Sequence, residues 1–156
     1  MSLLSKLIIF IIIFIFSFKN LFAADIPIIV IAPSKKAQSI STIGTSTTVY
    51  DAKNIENTND YFLGDVLGNG TTSFNFFQTG GHGTNSGIQL RGLPKRYSTV
   101  YIDGVKMSDP SSPSNDFYFD HILKNQISRV EILKGNQSSV YGSGAIGGTI
   151  NITTKK

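Results

Sequence analysis

Apolar and polar positions alternate most regularly in two runs toward the C-terminal end. Ile127, Val130, Ile132 and Leu133 with Arg129, Glu131 and Lys134 predict one strand, and residues 149–153 (T-I-N-I-T) predict a second, each with one wet face. The link between them carries Gly135, Gly142, Gly144, Gly147 and Gly148, a density that calls for close backbone approach or positive φ. Shorter strands are predicted at 47–50, 72–78, 88–91 and 99–102, the last ending in the turn signal Asp103-Gly104. Helical spacing appears twice, at 52–57 with Asp51 as N-cap and at 61–67 with Asp60 as N-cap. One more helical turn is expected at 120–123. Residues 34–48 read as a Ser/Thr-rich linker, while 79–87 and the Pro/Ser/Asp-rich 107–119 read as loops.

The N-terminal pattern is different in kind. Lys6 precedes an apolar run of 12 residues (7–18), and Ala23-Ala24 follows shortly after. A basic start, an apolar core of this length and a small exit residue describe an export signal, with cleavage expected after Ala23. A spanning anchor would need about 20 apolar residues. Next comes Ile28, Ile29, Val30, Ile31 and Ala32, held between Pro27 and Pro33. Proline donates no hydrogen bond, so this stretch cannot sit centrally in a sheet through both ends. It suits an extended peptide that adds to a partner's sheet edge, or an ordinary first strand of the domain's own sheet.

Composition narrows the chemistry. The 156 residues contain no cysteine, which removes disulfides, thiol nucleophiles and thiolate metal sites. Net charge is +4, of which Lys6 and Lys19 in the leader account for two, too little for a nucleic-acid footprint. His82 alone in its loop cannot build a zinc site, which needs three or four ligands. Asp109, Asp116 and Asp120 lack the fixed spacing of a calcium loop. The stretch G-S-G-A-I-G (142–147) fits G-x-G-x-x-G in form, but a strand pattern follows it where a dinucleotide fold needs a helix. Neither a nucleophile elbow nor a carboxylate pair stands out. No enzyme and no cofactor are expected.

Three motifs carry a resemblance. The C-terminal R-V-E-I-L-K-G-N-Q-S-S-V-Y-G-S-G-A-I-G-G-T-I-N-I, with I-Q-L-R-G (88–92) and V-Y-I-D-G-V (100–105) upstream, resembles the plug domain of TonB-dependent outer-membrane receptors, nearest the vitamin B12 receptor group. Asn136 departs from the family's proline and Lys134 from its arginine. The resemblance implies an α+β plug-like domain with a small mixed four-stranded sheet, short helices and long apical loops. It divides the chain into a signal peptide (1–23), a TonB-box-like segment and linker (24–46) and the plug (47–156). It further implies that residues 28–32 bind a TonB-type energy-transducing protein. By the same resemblance Gln78, His82, Asn85, Ser108, Asp109, Phe117 and Tyr118 are ligand-contact candidates. Arg91 and Lys134 would meet acidic groups on an outer-membrane barrel wall, although an internal pair with Glu131 is the other option for Arg91 or Arg129. The barrel would come in cis from a longer chain or in trans from a split receptor, since a barrel strand is an alternating run of roughly ten residues and none follows here. The expected function is to gate a barrel and sense a scarce nutrient, a corrinoid or a ferric siderophore, at the outer membrane. The alternative is a soluble periplasmic binding or regulatory module without a barrel.

Overall fold

The computed structural model describes residues 28–32, 35–113 and 116–156. The export signal expected at 1–23 lies outside them.

The alternating run ending in Lys134 forms the eight-residue strand β8 (Ile127–Lys134), which pairs antiparallel with β9 (Gly148–Thr154). On its other side lies β3 (Ser46–Asp51), also antiparallel. Next to β9 runs β6 (Ser98–Ile102) in parallel, and β7 (Val105–Met107) closes the far edge. The order is β3-β8-β9-β6-β7, a mixed sheet. It has five strands where four were expected, because Asp103 (φ 48°) and Gly104 (φ 84°) turn the chain back along β6. Two small sheets accompany it: β1 (Ile29–Val30) with β2 (Gln38–Ser39), and β4 (Phe74–Gln78) with β5 (Ser86–Leu90). The architecture is α+β, a mixed sheet with a few short helices.

One face of the large sheet makes the core. Tyr50, Val130, Ile132, Ile150, Ile152 and Val100 are buried there against Ile55, Leu63, Leu67, Phe74, Ile88, Leu90 and Phe119. Ile127 joins this core only because the pairing slips between Ile127 and Arg129; without that bulge, positions 127 and 130 would face opposite ways. The other face, read as wet, is partly covered. Glu131 and Leu133 are buried on β8, and the N-terminal segment lies against Glu131.

Helix α1 (Ala52–Glu56) starts where expected, with Asp51 Oδ1 accepting the Asn54 amide at 2.7 Å. Helix α2 (Leu63–Gly70) starts two residues late, and its N-cap is Phe62, not Asp60. Phe62 forms a β-bridge with Leu123, the Leu63 amide donates to Ile122 O at 2.9 Å, and the Lys124 amide donates to Tyr61 O at 3.1 Å. That pairing draws Phe62 into extended backbone and also prevents the helical turn expected at 120–123; a 3-10 turn follows at Lys124–Gln126. Gly64 and Gly68 let β4 lie close, since a Cβ on them would meet the Phe76 side chain at 2.4 and 3.0 Å. The expected linker at 34–48 instead contains β2, a 3-10 turn at Ile40–Thr42 and the start of β3. In the glycine-rich link sits a one-turn helix, α3 (Ser138–Tyr141), that no periodicity announced.

Candidate functional site

Residues 28–32 are docked on the domain rather than free in solvent, with Ile29–Val30 as strand β1 and a bend and turn at 31–32. Val30 and Ala32 are buried, whereas Ile28, Ile29 and Ile31 are each about half exposed. On one edge the segment pairs with β2, placing Ile29 opposite Ser39 and Val30 opposite Gln38, and Ile28 O accepts the Ile40 amide at 2.8 Å. Past the strand, where the chain bends, the Ile31 and Ala32 amides both donate to the Glu131 carboxylate, at 3.0 and 2.8 Å to Oε2. The Arg129 guanidinium donates to Ile29 O, and the Tyr141 hydroxyl donates to Ala32 O. Of the two sequence options, the first strand of the domain's own structure is the one seen here, in a small two-stranded sheet apart from the large one, and it is also held sideways by side chains. Pro27 and Pro33 bracket it in the sequence.

Glu131 is 2% exposed, and its charge is met by Arg129 Nε at 2.8 Å as well as by the two amides. An ionised buried carboxylate needs such partners. Burial, then Tyr101 and Glu131, push the Tyr141 phenol up to about 12. Beside the segment, a cavity of about 540 Å³ opens among Ile31, Lys35, Tyr101, Asp103 and Tyr141. Sequence reasoning missed Glu131, Arg129 and Tyr141 as holders of the segment. The one available signal was the i, i+2 spacing of Arg129 and Glu131, which puts both on one face of β8.

Arg91 and Lys134 come together at strand ends. A Cβ on Gly135 would stand 3.2 Å from Arg91 Nη1, and Arg91 lies with Lys134 close enough to affect its titration. Burial first, and Arg91 second, hold the Lys134 ammonium below the usual lysine range. Lys134 donates to Thr72 O at 3.1 Å. Among the described residues neither cation has a carboxylate partner within 4 Å. Arg129, not Arg91, makes the internal pair with Glu131.

The ligand-contact candidates fall into two groups. Ser108, Asp109, Phe117 and Tyr118 line a cavity of about 390 Å³ with Asp120 and His121. Lys95 supports this loop from behind, 3.2 Å from Asp116 and over the Tyr118 ring. Gln78, His82 and Asn85 do not line it. His82 stacks on Phe62 and lies 3.7 Å from Asp65. Asn85 closes its own loop through its carbonyl, which accepts the Thr79 amide and hydroxyl. Gln78 keeps a buried Nε2 without a hydrogen-bond partner among the described residues. The two loops are nonetheless tied: Ser86 Oγ donates to the buried Asp120 at 3.1 Å and accepts the Phe119 amide at 2.9 Å.

This arrangement has relatives. Residues 39–149 match the family described as the TonB-dependent Receptor Plug Domain. The chain belongs to that family. It is 32% identical over 126 residues to the Vitamin B12 transporter BtuB of Vibrio vulnificus (strain CMCP6), covering 81% of this chain and 20% of the relative. It is 38% identical over 130 residues to the Rhizobactin receptor of Rhizobium meliloti (strain 1021), covering 82% and 16%. Among solved structures, the ferric yersiniabactin uptake receptor FyuA from Yersinia pestis superposes with a TM-score of 0.55 at 27% identity, over 74% of this chain and 18% of FyuA. The chain thus spans a fifth or less of the length of these curated relatives. The relatives are named as transport receptors, not enzymes.

Proposed function

We propose that this domain is the plug of a TonB-dependent receptor, closing an outer-membrane barrel and opening it under load from a TonB-type protein. The plug-family match over 39–149 carries this reading. Ile28, Ile29, Val30, Ile31 and Ala32 are the segment the energised partner takes by strand addition, which needs only an extended backbone and its hydrogen-bonding groups. Arg91 and Lys134, two adjoining cations without a carboxylate among the described residues, face acidic groups on the barrel wall. Arg91 can bind a carboxylate with two parallel bonds, whereas Lys134 offers a point charge. The barrel is supplied in cis by further chain or in trans by another polypeptide.

The cargo is a corrinoid or a ferric siderophore, the ligand classes in the relatives' names. Ser108, Asp109, Phe117 and Tyr118 touch it from one loop; Gln78, His82 and Asn85 do so from the other. The domain performs no catalysis and needs no cofactor or nucleic acid. Pulling need not unfold it, because segments open locally at free energies well below that of global unfolding.

Uptake of radiolabelled corrinoid and of ferric siderophore, compared between a deletion strain and its complemented parent, tests the reading. Loss of one uptake activity, restored by the intact gene and not by a gene lacking codons 28–32, supports it. Unchanged uptake of both, with the protein recovered from the soluble periplasm, favours a barrel-free module instead.

A further inference from the structure

Beside β6 and β7 lies a cavity of about 310 Å³ that gating of a barrel does not call on. Arg96, Ser98, Lys106 and Ser143 give it polar groups, Met107 and Phe117 give it an apolar wall, and no carboxylate lines it among the described residues. Arg96 comes from a 3-10 turn (Lys95–Tyr97) and Lys106 from β7, opposite Tyr101. Both cations are exposed, and neither has a carboxylate within 4 Å among the described residues. The neighbouring acids are engaged elsewhere. Asp103 accepts from Thr154, Asp109 accepts from Ser111, and Asp116 lies 3.2 Å from Lys95.

Uncommitted donors accompany the two charges. The Ser98 hydroxyl oxygen is buried without a hydrogen-bond partner among the described residues, a cost that folded domains ordinarily avoid. Gly142 (φ 88°) opens a turn that the Ala145 amide closes on Gly142 O at 3.0 Å. The Ser143 and Gly144 amides inside that turn make no backbone hydrogen bond among the described residues. A Cβ on Gly144 would stand 3.3 Å from Thr99 Cγ2, so the turn lies close on β6. Thr99 is itself committed, with its Oγ1 bonded to Thr149 Oγ1 at 3.0 Å. The turn belongs to the G-S-G-A-I-G stretch, which matched a phosphate-binding pattern in form and found no dinucleotide fold around it.

We propose that this cavity binds a small organic acid, with its carboxylate or phosphate between Arg96 and Lys106 and its compact apolar body against Met107 and Phe117. The Arg96 guanidinium lies over the Tyr97 ring, 5.4 Å from its centroid, and offers a planar fork that matches two oxygens, while Lys106 adds a point charge. The Ser98 hydroxyl donates to a remaining oxygen, which ends its isolation. Ligand pockets run from about 300 to 1,000 Å³, so this one has room for a small acid and not for a whole corrinoid. Its walls come from this chain alone, and the inference is independent of the barrel and of the energised partner.

The chain has three arginines, Arg91, Arg96 and Arg129, so phenylglyoxal modification of the purified protein, read arginine by arginine by mass spectrometry, tests the site. The probes are phenyl phosphate, benzoate and inorganic phosphate, with sodium chloride at matched ionic strength as the blank. Phenyl phosphate and benzoate are expected to slow modification of Arg96 severalfold while Arg91 reacts at its usual rate. Inorganic phosphate, which has no apolar body, should need a higher concentration. Lys106→Gln is expected to raise the concentration for half-protection roughly three- to fivefold at low salt. Ser98→Ala should raise it about tenfold without lowering the melting temperature, because it removes a hydroxyl that has no partner in the free protein. Arg96 left unprotected by every probe, or protected no better than Arg91, overturns the proposal. Half-protection unmoved in either variant does so too, as does a clear fall in the melting temperature of Ser98→Ala. Equal protection by inorganic phosphate would overturn the part given to the apolar wall.

Discussion

Lys134 and Arg91 are neighbouring cations drawn from the ends of two different strands, and the Lys134 ammonium is depressed by burial and by the guanidinium beside it. Two like charges held together without an acid cost stability in the isolated domain. They are worth keeping where an external carboxylate completes the group.

The sign of the pH effect follows. A lysine whose folded pKa lies below its unfolded value binds fewer protons when folded, so stability rises with pH just below the ordinary value of 10.5. Lys134→Met is expected to remove that rise and to raise the melting temperature of the isolated protein at neutral pH and low salt. Being a surface effect, it should stay within about 0.5 kcal/mol and fade at high salt. Thermal denaturation against pH and ionic strength checks both.

Tyr141 titrates in the opposite sense. Its phenol is raised to about 12, so the unfolded chain ionises first and stability falls between about pH 10 and 12. An ultraviolet titration of tyrosinate should show one tyrosine ionising late, and that late step should be missing in Tyr141→Phe.

At Gly148 the backbone leaves no room for a side chain. Its φ is 150°, and a Cβ would lie 2.2 Å from Leu133 O. Gly148→Ala is expected to cost about 3 kcal/mol or more, beyond ordinary overpacking, by prising β9 from β8. Gly81→Ala, where nothing lies within 4 Å, is the control and should stay within about 0.5 kcal/mol. Urea denaturation of both reads the difference.

The cap on α1 offers a milder test. Asp51→Ala removes the acceptor for the Asn54 amide and is expected to cost about 1 kcal/mol in the same urea assay.

What the sequence reveals depends on how local the determinants are. The alternation at 127–134 and 149–153 marks β8 and β9 almost to the residue, because their own side chains decide which face is buried. Asp51 likewise announces α1 from three residues away. Asp60 fails as a cap because Phe62 is claimed by Leu123, a partner 61 positions on, and no local pattern records that pairing. Glu131 is missed for the same reason. Read along β8 it is one more polar residue on a wet face, yet amides 99 and 100 positions upstream cover it. At the apical end the sequence names both loops but not how they divide: the Met107 loop encloses a cavity, while His82 folds back on Phe62. The I-D-G turn is legible, though its second task is not, since Asp103 also accepts the Thr154 amide and hydroxyl at 3.0 and 2.6 Å.

The most direct measurement is photo-crosslinking in living cells from a benzoyl-phenylalanine placed at Arg91, followed by mass spectrometry of the joined peptides. Crosslinks to inward-facing residues of a β-barrel strand in the outer-membrane fraction are expected, whether from the same polypeptide or another. A protein found in the soluble periplasm, joined to no barrel strand, would contradict it.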